Sequence, residues 1–180
     1  MIPSPDLRAL LDEYDRALAY TDELQHGLSA EQLAWRPSEE SSGIAWHLGH
    51  QAAVAHYLIR NLTAAEARID PAIDALMDSA TPERDRGALP SIERIRAYRN
   101  TVAERVRYRI GLIDDGAVGA PNQLRHVATN LLVAVVNHEY QHSTWIGELR
   151  TDTFGLAMPP QPASPRLAVV DGYPVLVDPG

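Results

Sequence analysis

The 180-residue chain contains no cysteine. That removes disulfides, thiolate metal ligands and a thiol nucleophile of its own from any account of its chemistry. The lack fits a reducing compartment, and the cytoplasm is the expected location. Basic charge is also short. Sixteen Lys and Arg stand against 24 acidic residues, for a formal charge of -8. A chain this acidic has no basic face with which to grip phosphates, so DNA and RNA are not expected partners. No apolar run approaches the ~20 residues needed to span a bilayer. The start, MIPSPDLRALLDEYDRAL, is charged too early and too evenly for a signal peptide. No repeat occurs at the usual solenoid periods. What is present, 45% hydrophobic residues, suits one domain with a proper core.

Four long helical patterns fill most of the chain. The first begins near Ser4–Pro5, where serine can cap and proline suits a first turn. Leu7, Leu10, Leu11, Tyr14, Leu18 and Leu24 recur at helical spacing, and Gly27 ends it. Ser29 and Gln32 form a capping box for a short turn that Pro37 stops; Trp35 reads as a lid over one end of the core. The second helix runs from residue 41 or 42 to 62. Trp46, His50, Ala53, Val54 and Tyr57 share a face that reads as its buried stripe. His47 lies beside that stripe, whereas His56 lies off it and reads as a solvent or hydrogen-bonding residue. Gly49 lets another backbone approach closely.

From residue 63 to 90 the helical signal weakens. PAIDALMDSA reads as one short helix and TPERDRGALP as a crossing loop. A connection this long lets the next helix run parallel to the last. The third helix starts at Ser91 and carries Ile92, Ile95, Tyr98, Val102, Val106, Ile110 and Ile113, with Arg and Glu on its other faces. Asp114–Asp115–Gly116 ends it. The fourth extends from Pro121–Asn122 to about Arg150, and its LLVAVV segment is apolar all round and reads as deeply buried. The expected organisation is a helical unit over residues 1–150 and a proline-rich tail over 151–180. In that tail RLAVV and YPVLV flank Asp171–Gly172, a strong hairpin signal. A lone hairpin is marginal in water. It should therefore pack on the helices or on a second subunit through Leu167, Val169, Val175 and Val177, with Pro174 confining it to an edge.

The stretch HEYQHSTWIGELR, residues 138–150, organises the rest. His138 and His142 stand at i and i+4, one above the other on a helix face. Leu131, Val135, Trp145, Ile146 and Leu149 lie on or beside that face, while Glu139 and Glu148 lean away. Two inward imidazoles on adjacent turns can reach one ion through bonds of about 2.0–2.1 Å. Among seven histidines such a pair also arises by chance, and a lone histidine on an apolar face is ordinarily a hydrogen-bonded core residue. A third inward ligand from another helix is what would give the pair weight.

SSGIAWHLGHQ on the second helix and HEYQH on the fourth, with the long connection between helices two and three, resemble the DinB-like superfamily. That group includes YfiT-type metal-dependent hydrolases, bacillithiol and mycothiol S-transferases, and the N-terminal domain of ergothioneine-forming iron enzymes. The resemblance covers the helical unit and leaves the tail outside. It implies an all-α four-helix bundle with an up-down-down-up path, to which the C-terminal β-hairpin is added. It further implies one divalent ion (Zn, Ni or Fe) held by His50, His138 and His142, and a homodimer. His47 would then stand behind the ligands or face substrate, with Trp46, Tyr57, Tyr140 and Trp145 as candidate pocket walls. Members often carry xGQI after the second helix-four histidine. STWIG stands there in this chain, so its substrate pocket departs from the usual one.

Three neutral imidazoles leave coordination positions open, the mark of a catalytic and not a structural metal. Such an ion acidifies a bound water toward ~7 or binds an incoming thiol as its nucleophilic thiolate. With no cysteine in the chain, the thiol would arrive as a low-molecular-weight cofactor. The implied functions are transfer of that thiol to an electrophilic small molecule, metal-dependent hydrolysis, or non-catalytic binding of a metal or small molecule under stress. No general base beside the site is evident from the sequence.

Overall fold

The computed structural model describes residues 6–63 and 66–177. Helix α1 spans Leu7–Gln25, capped by Asp6, whose carboxylate accepts from the Ala9 N–H at 3.1 Å. The expected Ser4 cap lies outside the described residues. α2, Ala30–Ala34, has the full Ser29/Gln32 capping box. α3, Ile44–Arg60, starts after Gly43 and not at Ser41 or Ser42. Gly43 lies so close to the Trp35 carbonyl that a Cβ there would collide with it. α3 passes into a 3-10 turn, Asn61–Thr63. α4, Pro71–Leu76, is capped by Asp70; α5, Ile92–Asp114, by Ser91. α6, Pro121–Glu148, runs on into a π-helical turn, Leu149–Thr153. In that turn Arg150 donates to the Leu24 and His26 carbonyls at 2.9 and 2.7 Å, fastening the end of α6 to the end of α1.

The chain is mostly helical, and its long helices share one core. α3 lies against α5 and α6, and α1 lies against α6 and α5. Leu7, Leu24, Leu48, Ile95, Ile110 and Leu132 are among the fully buried side chains. The LLVAVV segment is not buried all round. Leu132, Val135 and Val136 face inward, but Ala134 is exposed. Alanine there costs little in water while favouring helix. Gly49 admits a side chain and not a backbone: a Cβ on it would meet the Met77 sulfur at 2.5 Å. Trp35 is 41% exposed and meets the tail's Phe154 edge-on at 5.6 Å, so it clasps the tail instead of closing the core. Among the described residues no helix is long and apolar enough to cross a membrane.

The tail forms the hairpin the sequence announces. β1, Leu167–Val170, pairs antiparallel with β2, Tyr173–Leu176. Asp171 and Gly172 both have positive φ, 51° and 87°, as a type I′ turn requires. The hairpin seats on α6, where the Asn137 side-chain oxygen accepts from the Leu176 N–H at 2.7 Å. The register places Leu167 opposite Leu176 and Ala168 opposite Val175. The expected set of Leu167, Val169, Val175 and Val177 therefore straddles both faces. It is Leu167 and Leu176 that pack on the core, while Val169 and Val177 are exposed. Met158 fills the space beside Gly147, and Ser164 donates to Glu13 of α1. Removing residues 156–180 should lower stability by about 2–4 kcal/mol, from the apolar contacts of Met158, Leu167 and Leu176. A melting temperature unchanged by the truncation would show that the tail contributes nothing to the fold.

Candidate metal centre

The site is built where α3 crosses α6. His138 and His142 share one face of α6, with ring centroids 4.4 Å apart. His50 comes from α3, and its ring centre lies 5.0 Å from that of His138 and 4.8 Å from that of His142. One nitrogen from each of the three falls within 4.8 Å of the others. His50 and His142 are buried and His138 is half-buried. A third inward histidine beside the pair is thus supplied by another helix, in a group that could hold a metal ion.

Two of the three imidazoles have their Nδ1 engaged. The His50 Nδ1–H donates to the Met77 carbonyl at 2.7 Å, which leaves its Nε2 unprotonated. His142 Nδ1 lies 2.8 Å from His47 Nδ1. If His142 keeps Nε2 free for an ion, its Nδ1–H donates and His47 accepts. A carbonyl or ring nitrogen behind a ligating imidazole is the usual way a protein sets tautomer and ring orientation. The donor set fits a divalent ion: three neutral imidazoles from rigid helices, two of them held from behind.

Aromatic rings surround the cluster. Trp46 stacks on His50, with centroids 4.4 Å apart and planes 11° from parallel. The Arg86 guanidinium covers Trp46 at 3.9 Å, so the loop after α4 is clamped onto the site. Trp145 stands edge-on to His142 at 4.7 Å, and Tyr173 of the hairpin stands edge-on to Trp145 at 6.4 Å. Tyr57 is 62% exposed, so it does not belong to a buried stripe. It lines a cavity of about 550 Å³ whose walls also include His50, His56, Arg60, Asp74 and Asp78. Of the expected stripe, Trp46 and His50 are buried, while Ala53, Val54 and Tyr57 border this cavity, because α3 also buries its opposite side, Leu48, Ala52, Ala55 and Ile59. His56 is buried and accepts from the Ile69 N–H at 3.3 Å. Tyr140 is not at the site. Two positions from each α6 histidine on a 100° helix, it points the other way, into the α1 side beside Tyr20.

Burial favours the uncharged form of every histidine in the cluster, and neighbouring imidazoles add to the effect at His47, His138 and His142. It pushes His138 down to about 4, His47 to about 3 and His142 to about 2, and lowers His50 as well. The lone pairs are therefore available at neutral pH without competition from protons. The same shifts set a pH dependence of folding. Between the ordinary histidine value of ~6.5 and these lowered values, the unfolded chain binds protons that the folded chain refuses. Stability of the metal-free protein should then be full above pH ~6.5 and fall as the pH drops toward 4. Unfolding at pH 5 should take up about three protons from His47, His138 and His142. A denaturation free energy flat between pH 7 and 5 would contradict the burial of these rings.

The sequence reading missed Glu139 and Arg99. Glu139 does lean away from the histidine face, as expected, but that direction is not toward solvent: it is 2% exposed and its carboxylate accepts from Arg99 at 2.6 Å and Thr21 at 2.7 Å. α6 is covered on two sides, by α3 on its histidine face and by α1 on the face of Glu139 and Ser143. A signal for Arg99 was present. It stands at helical spacing between Ile95 and Val102, on the apolar stripe of α5.

No curated protein matches the chain. A family model described as the DinB superfamily matches residues 13–146, which run from within α1 almost to the end of α6 and take in all three convergent histidines. With a match over well more than half of its length, the chain belongs to the DinB superfamily.

Proposed function

We propose that this protein is a metal-dependent enzyme that transfers a low-molecular-weight thiol to an electrophilic small molecule. His50, His138 and His142 hold the ion, and the long helices α1, α3, α5 and α6 form a four-helix bundle with an up-down-down-up path. The observation that carries the reading is the convergence of three neutral imidazoles, one of which, His50, also lines a cavity of about 550 Å³. A divalent ion bound there supplies Lewis acidity, which favours the deprotonated form of a thiol or water. The chain's own residues do the rest. Met77 and His47 orient His50 and His142 through their Nδ1 atoms. Trp46 and Trp145 screen the imidazoles from water on the sides they cover. Tyr57, Ala53 and Val54 offer an apolar wall to the substrate's carbon skeleton, with Arg60 beside them. The thiol must be brought in, since the sequence has no cysteine.

Asp78 supports a second reading. It lines the same cavity, and a carboxylate there could take a proton from an attacking water, as a hydrolase requires. The two readings part on thiol dependence. Metal-loaded protein incubated with a generic electrophile should form a thiol conjugate, seen by mass, only when a low-molecular-weight thiol is added, and chelation should stop it. Cleaved product without thiol would favour hydrolysis. Neither product across a broad panel, with metal still bound, would sink the catalytic reading and leave a binding protein.

A further inference from the structure

Each of the three convergent histidines is followed by a buried polar residue: His50 by Gln51, His138 by Glu139, His142 by Ser143. A step of one residue turns a helix by 100°, so these followers form a second inward face beside the histidine face. On that face they meet each other and two residues from the other long helices. The Gln51 amide donates to the Glu139 backbone carbonyl at 2.8 Å and to Ser143 Oγ at 3.4 Å. Thr21 of α1 donates to the Glu139 carboxylate at 2.7 Å, and its oxygen lies 2.7 Å from Ser143 Oγ. Arg99 of α5 donates to the Glu139 carboxylate at 2.6 Å and to the Gln51 carbonyl oxygen at 3.2 Å. All five side chains are buried.

We propose that Gln51, Glu139 and Ser143, tied through Thr21 and Arg99, are positioning residues that fix the register of α3 against α6 and thereby the convergence of His50, His138 and His142. The proposal rests on the metal-site reading above. The physical case is one of tolerance. A metal accepts ligand distances within about 0.2 Å of their ideal, whereas one residue of slip along a helix is ~1.5 Å. Apolar ridges allow neighbouring registers at small cost. A hydrogen bond of 2.8 Å from Gln51 on α3 to a backbone carbonyl of α6 does not, because slip would leave buried donors without acceptors. Arg99 serves Glu139 and Gln51, and the Gln51 amide serves the Glu139 backbone carbonyl and Ser143; with the Thr21 hydroxyl given to the Glu139 carboxylate, the Ser143 proton goes to Thr21 or to the Glu139 backbone carbonyl. Buried ion pairs contribute little net stability, and setting register is their best-attested use.

The test compares metal affinity with stability. Gln51→Leu and Thr21→Val remove the bonds at nearly constant volume, Thr21→Ser keeps the hydroxyl, and Ile110→Ala is a core control on α5 about 16 Å along the helix from Arg99. Zn²⁺ affinity is measured by chelator competition, and site geometry by the visible spectrum of the Co²⁺-loaded protein. Gln51→Leu and Thr21→Val should bind Zn²⁺ about 10–100-fold more weakly with an altered Co²⁺ spectrum. Thr21→Ser should bind like the wild type, and Ile110→Ala should keep affinity and spectrum despite its lower melting temperature. Wild-type affinity in Gln51→Leu and Thr21→Val, or an equal loss in Ile110→Ala, would overturn the proposal while leaving the metal site standing. Failure of the wild-type chain itself to take up Zn²⁺ or Co²⁺ would instead remove the metal site, and this proposal with it.

Discussion

Replacing His142 with alanine is expected to abolish stoichiometric uptake of a divalent ion. His142 is the centre of the cluster. Its ring lies 4.4 Å from that of His138 and 4.8 Å from that of His50, and its Nδ1 is the atom that His47 meets at 2.8 Å. Alanine removes one of three ligands and unseats the group that orients it. Among the described residues the histidines whose nitrogens converge are His50, His138 and His142, and His47, the neighbouring imidazole, is not one of them. His47→Ala should behave differently. It leaves all three ligands in place and removes only the partner behind one of them, so affinity should weaken about 10–100-fold without loss of stoichiometry. Metal content measured on purified protein distinguishes these outcomes. Full metal in the His142→Ala variant would end the three-histidine site, and loss of stoichiometric metal in His47→Ala alone would move the α3 ligand to His47.

Arg99→Met should be the most damaging single substitution for stability. The Arg99 guanidinium and the Glu139 carboxylate meet at 2.6 Å with side chains only 5% and 2% exposed. Methionine fills much of the arginine's volume but leaves the carboxylate buried without a countercharge, with the Thr21 hydroxyl still donating to it. Breaking a buried pair from one side costs about 3–5 kcal/mol, mostly the penalty of the orphaned charge. In a chain of this length that is a fall of ~10 °C or more in melting temperature. The double variant Arg99→Met/Glu139→Gln should recover much of the loss, because it removes the charge as well as its partner. Urea denaturation of the three proteins decides the matter. A loss under ~1 kcal/mol in Arg99→Met would mean that water reaches Glu139 and that the pair is not buried in solution.

Much of this molecule was legible in the sequence because it depends on local periodicity. The spacing of Leu7, Leu10, Tyr14 and Leu24, the Ser29/Gln32 box, the Ser91 cap and the Asp171–Gly172 turn each express a preference of a few neighbouring residues. The structure realises each within a residue or two. The pairing of His138 with His142 is of the same kind. Adding His50 to the pair required the family pattern, since the stripe of the second helix set His56 aside but left His47 close beside His50.

What the sequence could not decide was which helix faces are covered, and by what. An amphipathic pattern marks one buried stripe; a helix in the middle of a packed unit has two. α6 is such a helix, so Glu139 and Ser143 are interior although they lie off the histidine stripe. Conversely, the Ala53, Val54 and Tyr57 face of α3 borders a cavity whose other walls include α4 and the residues just after it, and among the described residues no helix covers Tyr57. Tyr140 left the site and Arg99 entered the core for the same reason. By itself the sequence determined the helices, their ends, the hairpin and the inward i, i+4 histidine pair, all set by contacts within a few residues. Only the tertiary structure decided the neighbours of each face, and with them the Gln51–Glu139–Arg99 network, because burial of a polar side chain depends on partners that the chain brings in from 40 or more residues away.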